Sequence, residues 1–116
     1  MLAIDVIGQD EGAYSVNLRN AAKGQQCLIR IPGLCSFNPE ETVLCHFRMA
    51  DICGTGLKPI DLIGAWGCAR CHSAVDGRIT TGFTREQLRL MHLEGMARTI
   101  DALHKQGLLT DGKRSE

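Results

Sequence analysis

Aromatic residues are scarce in this chain, with one Trp, one Tyr and three Phe among 116 residues. A core built on stacked rings is excluded, and packing must rest on Leu, Ile, Val, Met and Cys. No apolar run approaches the roughly 20 residues needed to cross a bilayer as a helix, so no membrane span is expected. Net charge is also lacking: 13 Lys and Arg balance 13 Asp and Glu. That balance removes the global field that draws strongly basic proteins onto nucleic acid, so any polyanion must be held by a local patch. The first residues, Met1 to Asp10, have neither the basic opening nor the apolar stretch of a secretory leader. A cytoplasmic protein with reduced cysteines is the expectation.

What the chain does have is cysteine, six in all. A chain of this length reads as one domain that buries roughly two thirds of its unfolded surface, and no large enclosed cavity is expected. Small domains with thin cores are commonly stapled by a metal. Cys68-Ala69-Arg70-Cys71 is a C-x-x-C pair, and Cys27 with Cys35 makes a second, wider pair upstream. Four thiolates from two separated segments suit a closed tetrahedral zinc site, which would join two otherwise loose pieces. The bland alternative is four buried thiols, since free Cys is among the most buried residue types. A thioredoxin-like redox pair is disfavoured because the surrounding βαβ pattern is missing. Cys45 reads as packing, and Cys53 is the alternative to Cys35 as a ligand.

Residues 1–17 alternate weakly at Leu2, Ile4 and Val6 and read as an N-terminal arm or strand. Residues 18–24 (LRNAAKG) look like a short helix closed by Gly24, and 27–31 (CLIRI) like a strand stopped by Pro32-Gly33. After a turn at 38–41, residues 42–48 (TVLCHFR) form a second predicted strand. On it Val43, Cys45 and Phe47 share one face, and Leu44, His46 and Arg48 the other. Residues 53–59 are a flexible loop, and 68–76 a cysteine knuckle running into a short helix stopped by Gly77. Thr84 and Gln87 make a capping box for a helix over 84–106, whose stripe of Leu88, Met91, Met96, Ile100 and Leu103 covers a small sheet. His92 and His104, without metal-spaced partners, read as solvated. A domain over 18–109, with a frayed tail at 110–116, is the expected organisation.

His72 and Asp76 lie one helical turn apart and can hold a hard or borderline divalent ion, be it magnesium, manganese or a second zinc, with positions left open for water and a phosphate oxygen. His46, on a facing strand, is the candidate general base, its ordinary pKa lying near working pH. Alone, each has a blander reading: a lone His is more often a hydrogen-bonded structural residue, and Asp before Gly a helix-end turn. Arg48, Lys58, Arg70 and Arg78 gather around the cysteine segments as candidate phosphate contacts for DNA. Gly54-Thr55-Gly56 is not a P-loop, because Lys58 is not followed by Ser or Thr. Trp66 reads as core beside the cysteines rather than as a base-stacking residue.

The order of Cys27 and Cys35, His46 on a strand, Asp61-Leu62, then Cys68-x-x-Cys71-His72 resembles the zinc-stapled HNH, or His-Me finger, nucleases. Residues 18–78, with CLIRIPGLC and NPEETVLCHFRMADICGTGLKPIDLIGAWGCARCHSAVDGR, are similar in particular to small phage and prophage proteins of the YbcO kind. The resemblance implies an α+β fold, a zinc-stapled ββα-metal finger with a C-terminal covering helix. It implies His46 as the catalytic histidine, Cys27, Cys35, Cys68 and Cys71 as structural zinc ligands, and His72 with Asp76 as ligands of the catalytic ion. The implied activity is metal-dependent hydrolysis of DNA in a bacterial host's cytoplasm, with a protein partner such as a recombination factor left open. Two departures stand out. Where the family commonly has Asp or His before the catalytic histidine, this chain has Cys45, a poor ligand for magnesium. The family's middle Asn has no direct counterpart, and Asp61 stands roughly in its place. A catalytically silent, zinc-stabilised nucleic-acid-binding or adaptor module is the alternative, and a structural phage-particle protein a third reading.

Overall fold

The structure, a computed structural model, describes residues 17–54, 57–110 and 112. The strand suggested by Leu2, Ile4 and Val6, the centre of the 53–59 loop and most of the tail lie outside the described residues. Leu18–Thr99 forms one compact unit, and all candidate residues belong to it. The order of elements is α1 (Leu18–Ala21), a 3-10 turn (Pro39–Glu41), β1 (Val43–His46), β2 (Gly64–Gly67), α2 (Ala69–Val75) and α3 (Arg85–Lys105), an α+β arrangement. None of the described helices is long and apolar enough to cross a membrane.

β1 and β2 pair antiparallel, Val43 opposite Gly67 and His46 opposite Gly64. The expected alternation holds at the centre of the first strand. Cys45 and Phe47 are buried, while Leu44 and His46 are partly open. Val43, at the start of the strand, is largely exposed.

β2, with the sequence GAWG, carries no strand signature, because glycine has neither the side chain nor the stiffness that favours pleated structure. Space explains it. A Cβ on Gly67 would lie 2.7 Å from Ile29 Cδ1 and 2.8 Å from Cys45 Sγ. Gly67→Ala should therefore destabilise the protein by about 1–3 kcal/mol, the usual cost of forcing extra volume into a packed core. Urea denaturation checks this, and a wild-type midpoint would show that Ile29 and Cys45 can move aside.

Residues 27–31 do not form a strand, correcting the expectation. Nor does burial alternate along them: Cys27, Leu28, Ile29 and Ile31 are inside and only Arg30 is exposed. Arg30 is in the left-handed region at φ 57°, which breaks any strand ladder. The segment is held by scattered bonds. Leu28 N–H donates to Trp66 O at 2.8 Å, Arg98 Nη1 donates to Leu28 O at 2.6 Å, and the N–H groups of Leu34 and Cys35 turn back onto Ile31 O.

α2 starts at Cys68, whose sulfur accepts from Cys71 N–H, and its end is followed by Gly77 at φ 75°. The capping box of α3 forms as expected: Thr84 N–H donates to Gln87 Oε1 at 2.8 Å and Gln87 N–H to Thr84 Oγ1 at 3.1 Å. Leu88, Met91 and Met96 pack on the core, and Thr99 Oγ1 accepts from Trp66 N–H at 3.0 Å while donating to Gly95 O. α3 thereby covers the sheet. Beyond this unit, Ile100 is largely open although it belongs to the expected stripe, and Leu103 is buried.

Candidate metal centre and active site

The knuckle of 27–35 and the start of α2 bring Cys27, Cys35, Cys68 and Cys71 together, with all four sulfurs within 4.8 Å of one another. Cys35 and Cys68 are 3.8 Å apart. Ligands about 2.3 Å from a tetrahedral zinc lie about 3.8 Å from each other, so the spacing fits that ion. Donors fit as well, because the N–H groups of Ser36 and Cys71 point at Cys68 Sγ from 3.4 and 3.5 Å. A hydrogen bond from Cys71 is the main reason the Cys27 thiol is pulled down to about 4, and the same bond pushes Cys71 up. Burial raises Cys35 to about 11. At Cys68 burial acts upward but is outweighed by the N–H donors, and the net direction is down. These four cysteines are positioned to bind a metal ion. Cys53 stands apart, its sulfur donating to Met49 O at 3.3 Å. Cys45 is fully buried inside the sheet, and burial raises its thiol.

His46 ends β1 with a side chain only 7% exposed, its Nε2 2.8 Å from Asp61 Oδ1. Asp61 also accepts from Arg19 Nε of α1 at 3.1 Å. The bond from His46 is the main reason the Asp61 carboxyl lies below its ordinary value; burial opposes it, and the bond from Arg19 adds to the lowering. An ionised carboxylate there accepts from Nε2–H and leaves Nδ1 as the ring's acceptor. Asp61 reaches His46 because the strands pair: Phe47 N–H donates to Ile63 O at 3.0 Å, drawing the segment before β2 alongside the end of β1.

His72 Nε2 lies 3.2 Å from Asp76 Oδ2, which also accepts from Arg78 Nη2 at 3.1 Å. Burial pushes the His72 pKa down. Asp76 opposes this, and the nearby charges of Arg78, His46 and Lys58 add to it.

An open cleft of about 710 Å³ brings His46, Arg48, Asp76 and Arg78 together. His72 sits beside Asp76 without lining it, and Lys58 and Arg70 are exposed outside the lining. Among the further residues that line the cleft are three with ionisable side chains that the sequence did not single out for the site: Arg85, Arg89 and His92. His92 corrects the expectation of a solvated residue. It is 5% exposed, its Nε2 lies 2.9 Å from Cys45 O, and its ring meets Phe47 edge-on at 5.1 Å. The signal was present, since His92 stands four residues from both Leu88 and Met96, on the buried stripe of its helix. Trp66 is buried in the core, as expected.

The family described as "Putative nuclease YbcO" matches residues 16–108 of this chain. Two relatives of that description, one from Escherichia coli (strain K12) and one from Enterobacteria phage 82, are each 45% identical over 96 residues, covering 80% of this chain and 96% of the relative. A solved structure described as "a putative bacteriophage protein from Escherichia coli str. K-12 substr. MG1655" superposes with a TM-score of 0.67 at 41% identity, covering 78% of this chain and all of that one. The matched family region contains the four clustered cysteines, the His46–Asp61 pair and the His72–Asp76 pair. The chain belongs to the YbcO family.

Proposed function

We propose that the chain is a metal-dependent endonuclease that hydrolyses DNA phosphodiester bonds on a zinc-stapled finger of the HNH kind. The observation that carries this reading is the 2.8 Å His46–Asp61 pair on a cleft that also holds Asp76, Arg48 and Arg78. The order β1, β2, α2, clasped by four cysteines, and the names carried by the relatives support it. In this reading zinc on Cys27, Cys35, Cys68 and Cys71 is structural, and the protein works in a bacterial cytoplasm as a phage or prophage product.

Asp61 holds His46 so that Nδ1 takes a proton from water as the water oxygen bonds to phosphorus. The P–O bond to the leaving oxygen breaks, and that oxygen is protonated from solvent. His72 Nε2 and Asp76 Oδ2 would hold magnesium or manganese. Adjacent ligands about 2.1 Å from an octahedral ion lie about 3 Å apart, close to the separation of this pair. Such an ion, when bound, supplies positive charge to the phosphate and the leaving oxygen. Arg48 and Arg78 meet phosphate oxygens, with Lys58 and Arg70 as outlying contacts.

Incubating zinc-loaded protein with supercoiled plasmid and branched duplex, in magnesium or manganese, tests the reading. Nicked or linear product supports it; intact DNA throughout, with zinc bound, overturns it. One observation favours a second reading. The Cys45 sulfur is sealed inside the sheet and offers no further ligand, as suits a silent nucleic-acid-binding or adaptor module, for which binding without cleavage is the expected result.

Asp61→Asn should lower the single-turnover rate about 10–10²-fold, because a neutral amide no longer selects the tautomer that leaves Nδ1 as base. Cleavage at the wild-type rate would make the pair purely structural. Since the Asp61 pKa is depressed on folding, the stabilisation from this pair is complete above the ordinary Asp value and fades as pH falls below it. The variant lacks that acid limb.

A further inference from the structure

The first two turns of α3 lie outside every motif that pointed to a site, yet Arg85 and Arg89 line the same cleft as His46 and Asp76. Spaced four residues apart, they share one face of the helix. Arg48 and Arg78 reach the cleft from the end of β1 and from beyond α2. Against these four cations Asp76 is the one acid of the lining among the described residues, in a chain whose formal net charge is zero. Positive charge gathered in a groove focuses its field there and attracts polyanions.

The two α3 arginines are prepared differently. The Arg89 guanidinium sits 4.4 Å over the Phe47 ring, with Nη1 3.5 Å from Arg48 O, so its plane is held. Arg85 is exposed, and its guanidinium makes no hydrogen bond or ion pair with the described residues. It is available to an outside anion. Among the described residues the lining contains no Asn or Gln, the usual readers of adenine edges, and it carries four arginines, whose guanidinium groups suit phosphate.

We propose that Arg85 and Arg89 extend the cleft into a four-arginine surface that holds the phosphate backbone of DNA irrespective of its sequence. This rests on the nuclease reading of the same cleft.

The test uses the full zinc-loaded chain carrying His46→Ala, so that the probe survives, and the fluorescence anisotropy of two short labelled duplexes of unrelated sequence across a salt series. Adding Arg85→Ala should weaken binding about 3–10-fold and reduce the slope of log K against log salt by about 0.9, the release expected for one phosphate contact. Arg89→Ala should do the same, Arg85→Lys should restore most of the slope, and Lys23→Ala should change neither quantity. The two duplexes should bind within about twofold of each other. Because Arg89 also braces Phe47, Arg85 is the deciding variant, with zinc content measured for each protein. An unchanged slope in Arg85→Ala, while Arg48→Ala and Arg78→Ala weaken binding, overturns the inference and leaves the nuclease reading standing. Failure of the parent to bind either duplex, or strong preference for one, also overturns it. The nuclease reading is judged separately by wild-type cleavage.

Discussion

His46→Ala should abolish visible plasmid cleavage, lowering the single-turnover rate by about 10²–10⁴-fold, the usual contribution of a positioned general base. The protein should remain folded and zinc-loaded. His46 sits at the end of β1, and its side chain bonds Asp61, which keeps its second partner, Arg19. The strand pairing is made by backbone groups that the substitution leaves in place. His46→Gln, which keeps a polar side chain of similar reach without a basic nitrogen, should be as inactive as the alanine variant. Added imidazole should return part of the rate to His46→Ala, since the substitution opens a space beside Asp61. Cleavage that survives in either variant would remove His46 from the chemistry. Cleavage lost together with zinc would make its role structural.

If the four cysteines hold a structural zinc, as proposed, its removal should unfold the protein rather than merely inactivate it. Four of the eight buried residues in the core cluster are cysteines, and three of these, Cys27, Cys68 and Cys71, are candidate ligands. The irregular 27–35 segment has no strand ladder to hold it, so its attachment to α2 depends on the clasp. Structural zinc contributes about 10–16 kcal/mol to binding-coupled folding in small zinc-finger peptides, as much as or more than the about 5–15 kcal/mol that separates most folded domains from the unfolded chain. A zinc-selective chelator, or Cys71→Ser, should therefore abolish the cooperative thermal transition followed by circular dichroism, and zinc added back to the chelated wild type should restore it. A metal-free protein that melts at the wild-type Tm would show that the sulfurs are only packed together.

These two experiments concern parts of the molecule that were unequally legible. The knuckle helix could be read directly, because Cys68 caps it, Gly77 stops it and nothing outside that stretch is needed to say so. α3 was equally plain, since the Thr84–Gln87 box closes within one turn. The CLIRI segment is apolar because Cys27, Leu28, Ile29 and Ile31 are all buried, not because it pairs as a strand, and a run of apolar residues does not say whether a neighbouring strand is there to pair. β2 gave no sign, its two glycines being required by the close approach of Ile29, Cys45 and Leu44 rather than by any strand preference. His92 has no metal-spaced partner in the chain, and its place on the apolar stripe of α3 is what accounts for its burial.

By itself the sequence determined the capped helices α2 and α3, three of the four sulfurs that converge and the two candidate histidines, because caps and turns act over a few residues and leave their mark in the chain. Only the tertiary structure decided that Asp61 meets His46, that Cys35 and not Cys53 completes the cluster, and that Arg85, Arg89 and His92 share the cleft. Those contacts depend on the pairing of β1 with β2 and on α3 lying across the sheet. The residues involved are separated in the chain by intervals that carry no pattern, and packing alone brings them together.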